Sequence, residues 1–254
     1  MHRLVNSVLS LWPLALVAGC AADDYAGGIF VRMAVAPASG CAVTAQPTEA
    51  GVSHGQLSSA FPSPYIVTAQ MQSRISAAVG QETQRTVILT GANVDLTFPG
   101  STLFTAADLA DMKTTGITHF KSLFSAPLAP NEALTDASFE LVAPALYDQI
   151  YAKAPEARML NGPPFALEVL ATFTVVGTMA GNEVNSQPFQ FPIGIANTNH
   201  IVELLVPGTC PLPLGTMAKT GNGCGLAQDA PITCCTDMTS GQLVCPAPIA
   251  TATP

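Results

Sequence analysis

The stretch FALEVLATFTV, residues 165–175, decides how this chain folds. Phe165, Leu167, Val169, Ala171, Phe173 and Val175 fall at alternate positions, with Glu168, Thr172 and Thr174 between them. Successive side chains of a strand point to opposite faces. The alternation therefore buries one face and wets the other, which is the pattern of a half-buried strand.

Downstream, Phe189, Phe191, Ile193 and Ile195 repeat the pattern, and Gly181-Asn182 between the two segments is a turn signal. The two segments are expected to form a hairpin. Pro188 and Pro192, four apart, remove two N–H donors from the same side, so the second segment reads as an edge strand or one leaving the sheet.

Upstream, Ile29, Val31, Met33 and Val35 make one apolar face, Tyr65, Val67, Ala69 and Met71 another, and Ala137, Phe139 and Leu141 a third. Between Thr86 and Phe98 the parity flips. Val87 and Leu89 are apolar at odd positions and Val94, Leu96 and Phe98 at even ones, which predicts a bulge near Gly91 or a strand crossing between sheets.

Two short helices are expected. Thr105 with Asp108 would cap one running to Lys113. Pro144 would open the other, with Leu146 and Ile150, and Tyr147 and Tyr151, each four apart until Pro155. The fold class that follows is all-β: an immunoglobulin-like β-sandwich of about seven or eight strands, over residues 29–206, decorated by two short helices.

Residues 207–254 differ. They hold five of the seven cysteines, many Pro and Gly, and no long periodic segment. So few apolar residues could not alone offset the ordering entropy, so a small disulfide-stapled appendage is expected.

The N-terminal segment carries Arg3 and then a mostly apolar stretch ending Leu16-Val17-Ala18-Gly19-Cys20. That ending resembles a bacterial lipoprotein lipobox. The resemblance implies that residues 1–19 are a signal peptide cut before Cys20, that lipid such as palmitate is carried at Cys20, and that residues 20–28 tether the folded part to the membrane. From Leu4 to Gly19 the stretch is 16 residues, broken by Asn6, Ser7, Ser10 and Pro13, against about 20 apolar residues for a spanning helix. Ala21 stands where enteric lipoproteins retained at the inner membrane carry Asp, which favours the outer membrane. The tail spacing Cys-x13-Cys-x9-Cys-Cys-x9-Cys, with Gly225 and Gln228-Asp229 inside it and a Phe-Gln-Phe-Pro-Ile run at 189–193, resembles uncharacterised Cys-rich-tailed lipoproteins of myxobacteria and relatives. That group implies no activity.

Export means an oxidising compartment. With Cys20 lipidated, Cys41, Cys210, Cys224, Cys234, Cys235 and Cys245 are the disulfide candidates. Six cysteines pair in about 15 ways, of which about 12 avoid a strained bridge between the neighbours Cys234 and Cys235.

Charged residues are 10% of the chain and the net charge is −8, or −9 once Arg3 leaves with the signal peptide. Lys and Arg are sparse and unclustered, which excludes nucleic acid as the expected partner and basic docking onto anionic headgroups. The expected partners are the membrane, through the lipid, and an envelope protein or polysaccharide.

Motifs for chemistry are weak. Gly51-Val52-Ser53-His54-Gly55 matches G-x-S-x-G, but that nucleophile elbow needs a buried strand before it and a helix after it. Here Gln46, Pro47, Thr48 and Glu49 precede it and Phe61-Pro62-Ser63-Pro64 follows, so a surface loop is expected. His54, His119 and His200 show no metal-ligand spacing, and the tail cysteines lack the short loops of zinc sites. Asp23-Asp24 belongs to no calcium loop. Asp136 and Glu140 would sit about 13 Å apart along a strand, too far for a glycosidase pair. No catalytic residue, cofactor or metal is assigned. The reading is a non-catalytic binding or scaffold module, with an extracytoplasmic hydrolase built from scattered residues as the alternative.

Overall fold

The computed structural model describes residues 28–37, 51–160, 162–198, 202–204, 221–236 and 243–244, and within them the chain is mainly β with two helices. Ten strands, in chain order, build two sheets: β1 (Ile29–Val35), β2 (Gly51–Val52), β3 (Gly55–Ser58), β4 (Tyr65–Ser73), β5 (Val87–Thr97), β6 (His119–Leu128), β7 (Leu134–Val142), β8 (Ala166–Met179), β9 (Asn182–Asn185) and β10 (Phe189–Ala196). The smaller sheet runs β2-β1-β4-β7 and is antiparallel throughout. The larger runs β3-β10-β8-β5-β6, with β9 on β8, and curls into a half-barrel. A third sheet orders β11 (Val202–Leu204), β12 (Ile232–Thr236) and β13 (Leu243–Val244) as β11-β12-β13.

The alternating 165–175 stretch enters β8, the central strand of the larger sheet. Leu167, Val169, Ala171, Phe173 and Val175 are buried, whereas Glu168 is exposed and Thr172 and Thr174 are half-buried. Phe173 meets Phe139 of the opposite sheet edge-on at 5.1 Å and Phe189 at 5.3 Å, while Phe124 stacks on Phe139 at 5.0 Å. Four rings thus join both sheets through one core.

The two expected segments pair antiparallel, Phe189 to Ala196 against Phe173 to Ala166, but the tight turn, one residue earlier than expected, joins β8 to β9. Met179 pairs with Asn182, so the loop is Ala180-Gly181, with φ of +49° and +85°. Two positive φ values make the primed turn whose twist matches its strands. The bulge near Gly91 is also present, since both neighbours of β5 slip register between Leu89 and Gly91. A Cβ at Gly91 would lie 2.7 Å from the Ser122 carbonyl oxygen, so the bulge needs glycine.

Three expectations need correction. Seven or eight strands fall short of the ten in the two main sheets, because β2, β3 and β9 are too short to show a period. β10 is not simply an edge strand: β8 pairs with it from Phe189 to Ala196, and β3 joins it in parallel from Ile193 to Ala196. Among the described strands, only its first half, ending at Pro192, has a single neighbour. β1 does not keep one apolar face, for its register shifts between Val31 and Met33 and brings Ile29 and Ala34 into the core.

The helices form as expected. In α1 (Ala106–Thr114) the Thr105 hydroxyl accepts from the Asp108 N–H, while the Asp108 carboxylate accepts from the Thr105 N–H at 2.8 Å. Lys153, in the last turn of α2 (Ala145–Lys153), donates to Asp108 at 2.8 Å. That bond, then those from Thr105, hold the Asp108 carboxyl down at about 2. One carboxylate therefore caps α1 and ties it to α2, whose Leu146, Tyr147, Ile150 and Tyr151 are buried. Asn197 was not legible as structural. Its buried amide accepts from the Phe165 N–H and donates to the Glu156, Met159 and Pro163 carbonyls, fixing the entry to β8.

Candidate functional site

The motif residues singled out in sequence scatter. Ser53 and His54 link β2 at the edge of one sheet to β3 at the edge of the other, so no strand-turn-helix elbow exists. Asp136 and Glu140 stay on β7, where burial raises the Glu140 carboxyl above its ordinary value. No group of three His, Cys, Asp or Glu among the described residues could hold a metal. Cys20, Cys41, Cys210, Cys245, His200 and Asp23-Asp24 lie outside the described residues.

Two histidines do acquire partners. Asp95 and His119 sit opposite each other on β5 and β6, and His119 Nδ1 is 2.6 Å from Asp95 Oδ1. His54 Nε2 is 3.7 Å from Glu168 Oε1 on β8. Both pairs are open to solvent. The register that joins Asp95 to His119 was invisible because α1 separates β5 from β6 in the chain.

Beside the first pair is a cleft of about 270 Å³. Phe98 and Phe104, 4.9 Å apart, form its floor with Leu96, and Leu109 of α1 closes one side. Lys113, Ser101 and the Asp95–His119 pair form its rim. Local sequence builds this. Phe98-Pro99-Gly100-Ser101 is a turn closed by Ser101 N–H on the Phe98 carbonyl at 3.2 Å, with Gly100 at φ +71°, and the capped α1 follows. Lys113 is exposed and pairs with no carboxylate among the described residues. The arrangement suits an apolar group carrying an anion.

The segment 221–236 grips both sheets. Gln228 is buried, and its amide accepts from the Ile66 N–H and donates to the Ile66 carbonyl, both at 2.8 Å. Asp229 accepts from the Tyr65 hydroxyl and the Gln56 N–H, both at 2.7 Å. Ala227, Ile232 and Cys234 pack with Phe61 and Leu160. Cys224, Cys234 and Cys235 are buried. The Gln228-Asp229 pair noted in sequence is thus a clasp across the ends of both sheets. Gln228→Ala should strand the Ile66 N–H and carbonyl at a cost of about 2 kcal/mol. Hydrogen exchange should then speed up at 221–236 before β8, and equal exchange in both would remove the clasp.

Desolvation, outweighing the bonds from Tyr65 and Gln56, raises the Asp229 carboxyl above its ordinary 3.8. Burial and the Asp229 charge also raise Tyr65, which stays a donor. The clasped state therefore binds the proton more tightly than the released one. Its hold should be greatest below 3.8 and weaken as pH rises through the raised value.

No known protein family model and no curated protein matches this chain. Among solved structures, the crystal structure of a protein from Archaeoglobus fulgidus is similar at a TM-score of 0.29 and 8% identity, over 51% of this chain and 82% of that one.

Proposed function

We propose that the chain is a lipid-anchored protein of the outer membrane, tethered through Cys20, in which an immunoglobulin-like sandwich serves as a non-catalytic binding module. The observation that carries the binding role is the cleft between Phe98, Phe104, Leu109 and Lys113, an apolar floor beside a cation that pairs with no carboxylate among the described residues. Anilinonaphthalene sulfonate has that chemistry. It should brighten on the folded protein, and Leu109→Arg should weaken its binding about tenfold. Unchanged dye binding in that variant would overturn the site.

Residues 207–254 are proposed as a disulfide-stapled appendage. The six cysteines Cys41, Cys210, Cys224, Cys234, Cys235 and Cys245 would supply three bridges, in any of about 12 pairings that avoid joining the neighbours Cys234 and Cys235. Protein beginning at Ala21 and oxidised should take up no alkylating agent before reduction. Peptide mapping that linked Cys234 to Cys235, or two free thiols after unfolding, would contradict this.

A hydrolase is the second reading, because Asp95–His119 is the pairing of a base with its orienting carboxylate and Ser101 lines the same cleft. Ser101 Oγ, however, accepts from the Leu103 N–H as part of its turn. Nitrophenyl ester turnover should not exceed that of His119→Ala; a loss in that variant would favour the enzyme.

A further inference from the structure

The cleft does not end at Ser101. That residue also lines a second concavity, of about 380 Å³, which shares Ala166, Leu167 and Glu168 with a third, of about 400 Å³, ending at His54 and Gln56. Strand register places the ends of this groove. His119, Asp95 and Thr172 form one row across the larger sheet, and Glu168, Gly194 and Gln56 another, four residues along β8. From β6 to β3 is four strand spacings, about 19 Å, and the offset along the strands is about 13 Å, so the groove is roughly 23 Å long. An extended chain of six or seven residues spans that length.

Resting on the reading of the cleft as a binding site, we infer that the groove binds an extended peptide end: a C-terminal apolar residue in the Phe98–Phe104 cleft, its carboxylate on Lys113, and a basic residue near Glu168. The cleft admits one side chain on two close rings. Asp95 is occupied by His119, so Lys113 is the charge left to meet the incoming group, and it meets a carboxylate. Along the polar stretch Ser101 and Gln56 offer hydrogen-bonding groups to a peptide backbone, and at the far end Glu168 faces the partner with His54 at 3.7 Å. The net charge of −8 steers a basic segment toward this acidic chain. A glycan fits less well, because no Phe or Tyr among the described residues is exposed as a platform for sugar rings.

Fluorescein-labelled Arg-Ser-Thr-Gly-Ser-Thr-Phe with a free carboxylate, read by anisotropy against the folded protein at low salt, is the test. The heptapeptide should bind at least tenfold tighter than its last three residues alone. Amidating its end should weaken it at least fivefold, and Lys113→Gln should weaken the free acid to the level of the amide without affecting the amide. Glu168→Gln should weaken the Arg peptide and leave an Arg-to-Ser version unchanged. If the tripeptide matches the heptapeptide while dye still enters the cleft, the groove is not a peptide site although the cleft stands; if dye fails as well, the cleft reading falls. Binding of maltohexaose with no peptide binding overturns the inference in favour of a glycan.

Discussion

Replacing Phe173 by alanine is expected to lower the stability of the two-sheet fold by about 3–5 kcal/mol, the range for emptying a large aromatic from a packed core. Phe173 is 1% exposed and touches rings from both sheets, Phe139 edge-on at 5.1 Å and Phe189 at 5.3 Å. Its loss removes transfer energy and leaves a void that two sheets held by their own ladders cannot close. With a urea slope of about 2 kcal/mol/M, the midpoint should fall by roughly 2 M. Leu123, 76% exposed on β6, is the control, and Leu123→Ala should stay within about 0.5 kcal/mol. A Phe173→Ala loss below about 1.5 kcal/mol would mean that the two sheets do not share the core described.

The second large effect concerns the anchor. Cys20→Ser removes the thiol on which the proposed lipid is carried, and the protein should move from the membrane pellet to the soluble fraction. Each buried CH₂ contributes about 0.8 kcal/mol, and one chain holds only marginally where two or more hold stably, so the change is close to all or none. No helix among the described residues is long and apolar enough to cross a membrane in its place. Recovery of the variant in a pellet washed with high salt would refute the lipobox reading. Release should leave dye binding at the Phe98–Phe104 cleft intact, since the cleft is built entirely within 95–119.

Where sequence reading failed, the element was short or the partner distant. β2, with 2 residues, and β3, with 4, cannot display a period, and they hid the crossing at Ser53-His54 between the sheets. The two prolines of the β10 region rightly marked a missing neighbour, but only for half the strand, because β3 reaches it from 138 residues away in the chain, counting Gly55 to Ile193. Gln228-Asp229 stood out as a dipeptide, yet its clasp on Tyr65 and Ile66 depends on segments more than 160 residues apart.

What the sequence determined by itself was local. Alternation at 165–175 fixed which face of β8 is buried, the parity flip located the bulge at Gly91, and Thr105 with Asp108 announced α1, because pleat, bulge and cap are set by side chains within a few residues of one another. Tertiary structure alone decided the candidate site. Asp95 meets His119, 24 residues on, through the register of β5 on β6, and Glu168 meets His54 because β10 brings β3 alongside β8. Register is chosen by the summed burial of whole faces rather than by any pair of residues, so no local pattern could have announced it.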